Sequence, residues 1–123
     1  MWNLVAFKTD ANGAGNANIN LNSAQIFGAI IIPVQDGINS GTTKLVVSHL
    51  LPSSLAVAPP PVTLFTAATV TTPFYEVPKK LGTSPTNVAD TVLGFQLVGS
   101  LNLSITSGVA NKDVNILVLL TND

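Results

Sequence analysis

His49 is the only histidine among 123 residues, and the chain has no cysteine. A lone imidazole can act as a general base because it titrates near neutral pH. It would need a nucleophile within reach and a carboxylate, Asp90 or another acid, to orient the ring. The surrounding Val47-Ser48-His49-Leu50 carries no Gly-x-Ser-x-Gly elbow. If residues 42–49 form a strand, His49 shares a face with Leu45 and Val47, as a histidine hydrogen-bonded within a core or an interface would. A tetrahedral zinc site would need several carboxylates beside this one histidine. Any two of Asp10, Asp36, Glu76, Asp90 and Asp113 could form the acid pair of a glycosidase, but six acids scattered along the chain bring no two together by spacing.

Two short motifs have a chemical reading and a plainer one. Asp10-Ala11-Asn12-Gly13 begins like a calcium loop, yet the later ligands and the closing Glu are missing, which leaves a Gly/Asn turn. Asn102-Leu103-Ser104 matches the glycosylation sequon, but its alternation is also that of a strand with one polar and one apolar face. The sequence therefore points to no catalytic residue, no metal ligand and no cofactor, and the protein is read as a non-enzyme.

Composition narrows the classes further. Charged residues make up 9% of the chain and hydrophobic ones 46%, where a typical soluble domain has about 25% charged. The polar surface must then be built from Asn, Ser, Thr, Gly and backbone. Charge keeps free monomers apart, so a surface this neutral fits one that partners cover. The basic residues Lys8, Lys44, Lys79, Lys80 and Lys112 are scattered apart from one pair, there is no Arg, and the net charge is −1. A phosphate-reading surface needs a clustered basic footprint, so nucleic acid is not expected as a partner. Residues 45–75 are free of Asp, Glu, Lys and Arg, but five prolines interrupt them, so no membrane-spanning helix is expected. Residues 1–10 show no secretory pattern, and the length suits one domain.

The elements that must position these residues are strands. In residues 17–22 Ala17, Ile19 and Leu21 alternate with three Asn, and Leu101, Leu103 and Ile105 alternate with Asn102, Ser104 and Thr106. A period of two means half-buried strands. The expected fold is all-β: a single antiparallel β-sandwich or jelly roll of about eight short strands. Residues 24–33 and 42–49 read as a hairpin joined by a Gly/Asn/Asp-rich turn. Residues 92–98, 101–106 and 113–121 read as a three-strand meander, with Gly99-Ser100 as a tight turn. Weaker strands are expected at 3–8, 62–66 and 73–77, and loops at 10–16, 50–61 and 79–90. Because the core alternation begins at Ala17, residues 1–16 are also read as an N-terminal arm that docks on a neighbour.

The last strand is apolar on both sides: Val114, Ile116, Val118 and Leu120 point one way, Leu117 and Leu119 the other. The second face must be covered by an arm of the same chain or by another subunit. Among the aromatic residues Trp2, Phe74 and Tyr75 fall in segments expected to be exposed, where rings anchor a partner, close a core edge or stack on a sugar. Trp2, Phe74, Tyr75, Leu117 and Leu119 are thus the candidate partner and oligomer contacts.

From residue 24 onward the order of segments resembles the small virion proteins that decorate the heads of tailed phages. The parts are an apolar strand (26–33) leading to Ser40-Gly41-Thr42-Thr43, then a second strand and a proline-bearing connection. Phe74-Tyr75-Glu76-Val77-Pro78 and Leu81-Gly82-Thr83 follow. Last come Leu97-Val98-Gly99-Ser100-Leu101-Asn102-Leu103-Ser104-Ile105-Thr106 with Ser107-Gly108 and an apolar strand, 114–121. The resemblance covers about four fifths of the chain and lies in the ordering of segments rather than in an invariant motif. It implies a capsid decoration, or cement, protein: a β-sandwich, often a homotrimer, on the outer surface of the phage head. Such a protein binds the major capsid protein at local three-fold points and stabilises the head, with no catalytic residues. Phage tail, baseplate and head-fibre components use similar sandwiches, and a carbohydrate-binding or adhesive module is the alternative from another class.

Overall fold

The computed structural model describes residues 2–21, 25–39, 41–50, 61–77, 79–81, 92–97 and 99–122. They form ten β-strands: β1 (Trp2–Lys8), β2 (Gly15–Asn20), β3 (Gln25–Ile32), β4 (Lys44–Leu50), β5 (Val62–Ala67), β6 (Phe74–Glu76), β7 (Lys79–Leu81), β8 (Val92–Leu97), β9 (Ser100–Thr106) and β10 (Asp113–Asn122). All pairings are antiparallel. No helix long and apolar enough to cross a membrane occurs among the described residues.

One sheet runs β1-β10-β3-β8-β7, with β6 beside β3 as well. Strands β6 and β8 share a lane, since β6 pairs with Ile30–Ile32 and β8 with Gln25–Phe27 along the same strand. The other sheet runs β2-β9-β4-β5. The pairs nest: β1 with β10, β2 with β9, β3 with β8, and β4 with β5. A long antiparallel hairpin rolled up on itself gives this order, which is that of a jelly roll. The fold is all-β, as the period of two required, and of the two sandwich forms expected it takes the rolled one.

Alternation builds the core. Along β9 Leu101, Leu103 and Ile105 are fully buried while their neighbours reach solvent, and Val114, Ile116, Val118 and Leu120 of β10 do the same. Facing them are Phe27, Ile30 and Ile32 of β3 and Leu45 and Val47 of β4, in one continuous cluster from both sheets. Each such side chain contributes about 1.5–3 kcal/mol on leaving water.

Three expectations about connectivity change. Residues 24–33 and 42–49 are strands but not a hairpin, because β3 and β4 lie in opposite sheets. The C-terminal meander is not formed either: β8 and β10 belong to the first sheet and β9 to the second. Gly99, at φ 101°, turns the chain from one sheet to the other instead of closing a tight hairpin, and its carbonyl accepts from Leu21 N–H at 2.8 Å. Nor do residues 2–16 hang free as an arm. Trp2–Lys8 pairs along its whole length with β10, Val5 is buried, and residues 10–14 form the turn into β2. Alternation fixes which face a side chain takes; it does not say which strand lies beside it. Within the expected loop at 79–90, residues 79–81 are strand β7; residues 82–90, and 51–60 of the loop expected at 50–61, lie outside the described residues.

At one end of the sandwich the connections lock together. Thr9, buried between them, donates from Oγ1 to Val109 O at 2.6 Å and accepts from Lys112 N at 2.9 Å. Gly13, at φ +75°, packs so close to Gly108 that a Cβ there would sit 2.1 Å from the Gly108 carbonyl oxygen. Thr43 Oγ1 bonds Asn39 O and accepts from Asn39 N–H. These contacts hold the sheets in register at the end where residues 10–14, 37–39, 41–43 and 107–112 meet.

Candidate functional site

The two outer faces of the sandwich differ in kind. Strand register places Leu4 of β1 opposite Leu117 of β10, Leu117 opposite Ile31 of β3, and Ile31 opposite Tyr75 of β6. Residues directly opposite in an antiparallel pair point to the same side. Their neighbours Val5, Ile116 and Ile30 are buried in the core, so this row crosses the outer face of the first sheet. The next row is Trp2, Leu119 and Ala29. Trp2 is 46% exposed, Leu4 64% and Tyr75 63%, while Leu117, Leu119 and Ile31 lie half-buried between them.

A bulge shapes this face. The register between β10 and β3 shifts at Leu119/Leu120, where Gly28 and Ala29 together meet Leu119. A Cβ on Gly28 would come within 3.1 Å of the Leu119 side chain. Glycine here lets Leu119 lie flat on the strand. Beyond Pro33, which has no N–H to donate, the Gln35 carboxamide continues the ladder: Nε2 donates to Asn115 O at 2.9 Å and Oε1 accepts from Asn115 N–H at 2.7 Å.

The outer face of the second sheet is polar and almost uncharged. One row runs Asn18, Asn102, Ser48, Thr63 and the next Asn16, Ser104, Val46, Thr66. Asn102 Nδ2 donates to Asn18 Oδ1 at 2.7 Å. Such side chains satisfy one another and water, so this face is soluble without charge.

Of the five contact residues expected from the sequence, four come together: Trp2, Tyr75, Leu117 and Leu119 share the apolar outer face. Phe74 does not. It stands opposite Ile32, packs against the core, and its ring lies 6.2 Å from that of Phe65. Leu4 and Ile31 belong to the face and were not singled out from the sequence. Their signal was present in β1, where Trp2 and Leu4 alternate with Val5 and Phe7 just as Leu117 and Leu119 alternate with Val118 and Leu120.

The residues weighed for chemistry lie in separate elements. His49 sits half-buried near the end of β4, opposite Leu101 and Val62, on the side of Leu45 and Val47. Asp90 lies outside the described residues. Asp10 occupies the turn after β1, Asp36 the connection after β3, Glu76 the end of β6 and Asp113 the start of β10. Among the described residues no three His, Cys, Asp or Glu side chains gather where they could hold a metal. Asp10 Oδ1 accepts from Asn12 N–H at 2.8 Å and Ala14 N–H at 3.0 Å, a turn closed by its own carboxylate. These bonds, that from Ala14 first, hold its carboxyl below the ordinary aspartate value.

Comparison of the chain with known protein families, curated proteins and solved structures gave no match. Its function is therefore argued from the face itself.

Proposed function

We propose that this chain is a non-enzymatic structural protein of a phage virion, a capsid decoration protein that binds the outside of the head through the apolar outer face of its first sheet. The observation that carries this reading is the row Leu4, Leu117, Ile31, Tyr75, with Trp2 and Leu119 beside it, on a chain of which only 9% is charged. Soluble monomers seldom expose so continuous an apolar face unless something docks on it. Large rings at the ends of the patch and aliphatic side chains in its middle match the make-up of interface cores. With no Arg and scattered Lys, the surface suits the outside of a shell rather than its nucleic-acid-facing inside. The partner is the major capsid protein, and the order of the homo-oligomer depends on which surface joins the copies.

A tail, baseplate or fibre part would use the same face, and copy number separates these readings. Measured in purified particles against the major capsid protein, copies comparable to that protein support decoration. A handful per particle moves the chain to the tail, a vertex or a fibre, and absence from particles overturns the virion reading. A sugar-binding role is less well served: Trp2 and Tyr75 share a face, but the Leu and Ile side chains between them offer no hydrogen bonds to hydroxyls.

A further inference from the structure

Among the described residues each sheet ends in strands whose outer backbone groups have no strand partner, and proteins ordinarily guard such edges. Three of the edges here are guarded. Strand β7 is three residues long; β5 follows Pro61 and meets β4 through a register shift at Val47/Ser48; β2 begins with a glycine and turns Asn16, Asn18 and Asn20 outward. Strand β1 has none of these devices. It is seven residues long, pairs with β10 without a shift, and carries no charge or proline before Lys8.

Its open side can be assigned residue by residue. Thr9 N–H donates to Lys112 O at 2.9 Å, so Thr9 and, two by two, Phe7, Val5 and Asn3 turn their backbone groups toward β10. The N–H and C=O of Leu4 and Ala6, with those of Trp2, point off the sheet. Lys8 O is already occupied sterically by the chain crossing to β2, since a Cβ on Gly15 would lie 3.2 Å from it. The usable edge is therefore Trp2–Ala6.

We propose that two copies of this chain join edge to edge through β1, antiparallel and about a two-fold axis at Leu4. In that register Leu4 faces Leu4 of the second copy and Trp2 faces Ala6, so about six main-chain hydrogen bonds form, two for each facing pair. The occupant is a second copy because the edge complements itself. The large Trp2 ring lies over the small Ala6, leucine meets leucine, and Lys8 of each copy falls outside the paired segment, where no like charges oppose. The pairing turns two six-stranded sheets into one and makes their apolar outer faces continuous. It does not depend on the capsid reading, and it replaces the three-fold association that the resemblance implies with a two-fold one.

Sedimentation equilibrium and thiol oxidation on the full chain test it, with four variants. The wild type is expected to be a dimer at micromolar concentration. Leu4→Lys, which sets two ammonium groups against each other on the axis, is expected to be a folded monomer, and mixing it with Leu4→Glu to restore a dimer. Because the chain lacks cysteine, Leu4→Cys gives a second reading that keeps the edge apolar. It should oxidise to a covalent dimer at least tenfold faster than Val34→Cys, a residue 71% exposed in the connection after β3. A monomeric or trimeric wild type, a dimer untouched by Leu4→Lys, or equal oxidation of the two cysteines would overturn the pairing. None of these outcomes bears on copy number in particles.

Discussion

Leu4 and Leu117 face each other across the β1–β10 pair, and Leu117 in turn faces Ile31. These three apolar side chains stand on adjacent strands outside the buried core. If the row is a docking face, Leu117→Asp is expected to cut co-sedimentation with particles at least tenfold while the far-ultraviolet circular dichroism stays native. Ser48→Asp, on the outer face of the second sheet, is expected to leave binding unchanged. Equal binding by both variants would remove the face from the proposal.

Phe74 and Tyr75 are neighbours with opposite consequences. Phe74 faces Ile32 and packs beside Phe65, whereas Tyr75 is 63% exposed in the outer row. Phe74→Ala is expected to lose about 2–3 kcal/mol of stability, below the cost for a fully buried ring because the side chain is half-exposed. Tyr75→Ala is expected to stay within about 0.5 kcal/mol of the wild type and to lose particle binding. Urea denaturation and co-sedimentation on the same two variants check both halves.

The sequence already held most of the inner surface. Ala17, Ile19 and Leu21, like Leu101, Leu103 and Ile105, sit on the side that alternation assigns them, because a strand has only two faces. Pairing was not legible: the partners of β1 and β2 are the last two strands, about 110 and 85 residues away, and no local pattern encodes so distant a neighbour. The site was legible where a strand is long enough to set a phase. In ten-residue β10 the alternation is long enough to put Leu117 and Leu119 on one face, whereas three-residue β6 is too short to show which of two adjacent rings turns inward, so Phe74 reads both as a partner anchor and as a core edge. Leu4 does not stand out in the sequence because residues 3–8 read only as a weak strand and residues 1–16 also as an arm.

Gly13 is expected to tolerate no side chain. Its φ of +75° is costly for an L-residue, and a Cβ would meet the backbone of Gly108, which cannot move aside like a flexible side chain. Gly13→Ala should lose roughly 2–4 kcal/mol, read as a lower urea midpoint with unchanged slope. Gly41→Ala serves as the contrast: φ is also positive there, but among the described residues nothing lies within 4 Å of the added Cβ, so only the backbone share of the loss, about 1–2 kcal/mol, should appear.

Asp10 makes part of the stability pH-dependent. Its carboxylate accepts from Ala14 and Asn12, which lowers its folded pKa below the unfolded value. A depressed folded pKa means that the unfolded chain binds the proton more readily, so the stabilisation is complete above the ordinary aspartate range, about pH 4, and is lost as pH falls through the folded value. Asp10→Asn keeps an oxygen for the turn and removes the charge. The variant is therefore expected to be less stable than the wild type at pH 7, with the gap narrowing as pH falls below the ordinary aspartate range. Urea midpoints at pH 7 and near pH 2 measure it, and a gap equally wide at both ends would show that the turn owes nothing to ionisation.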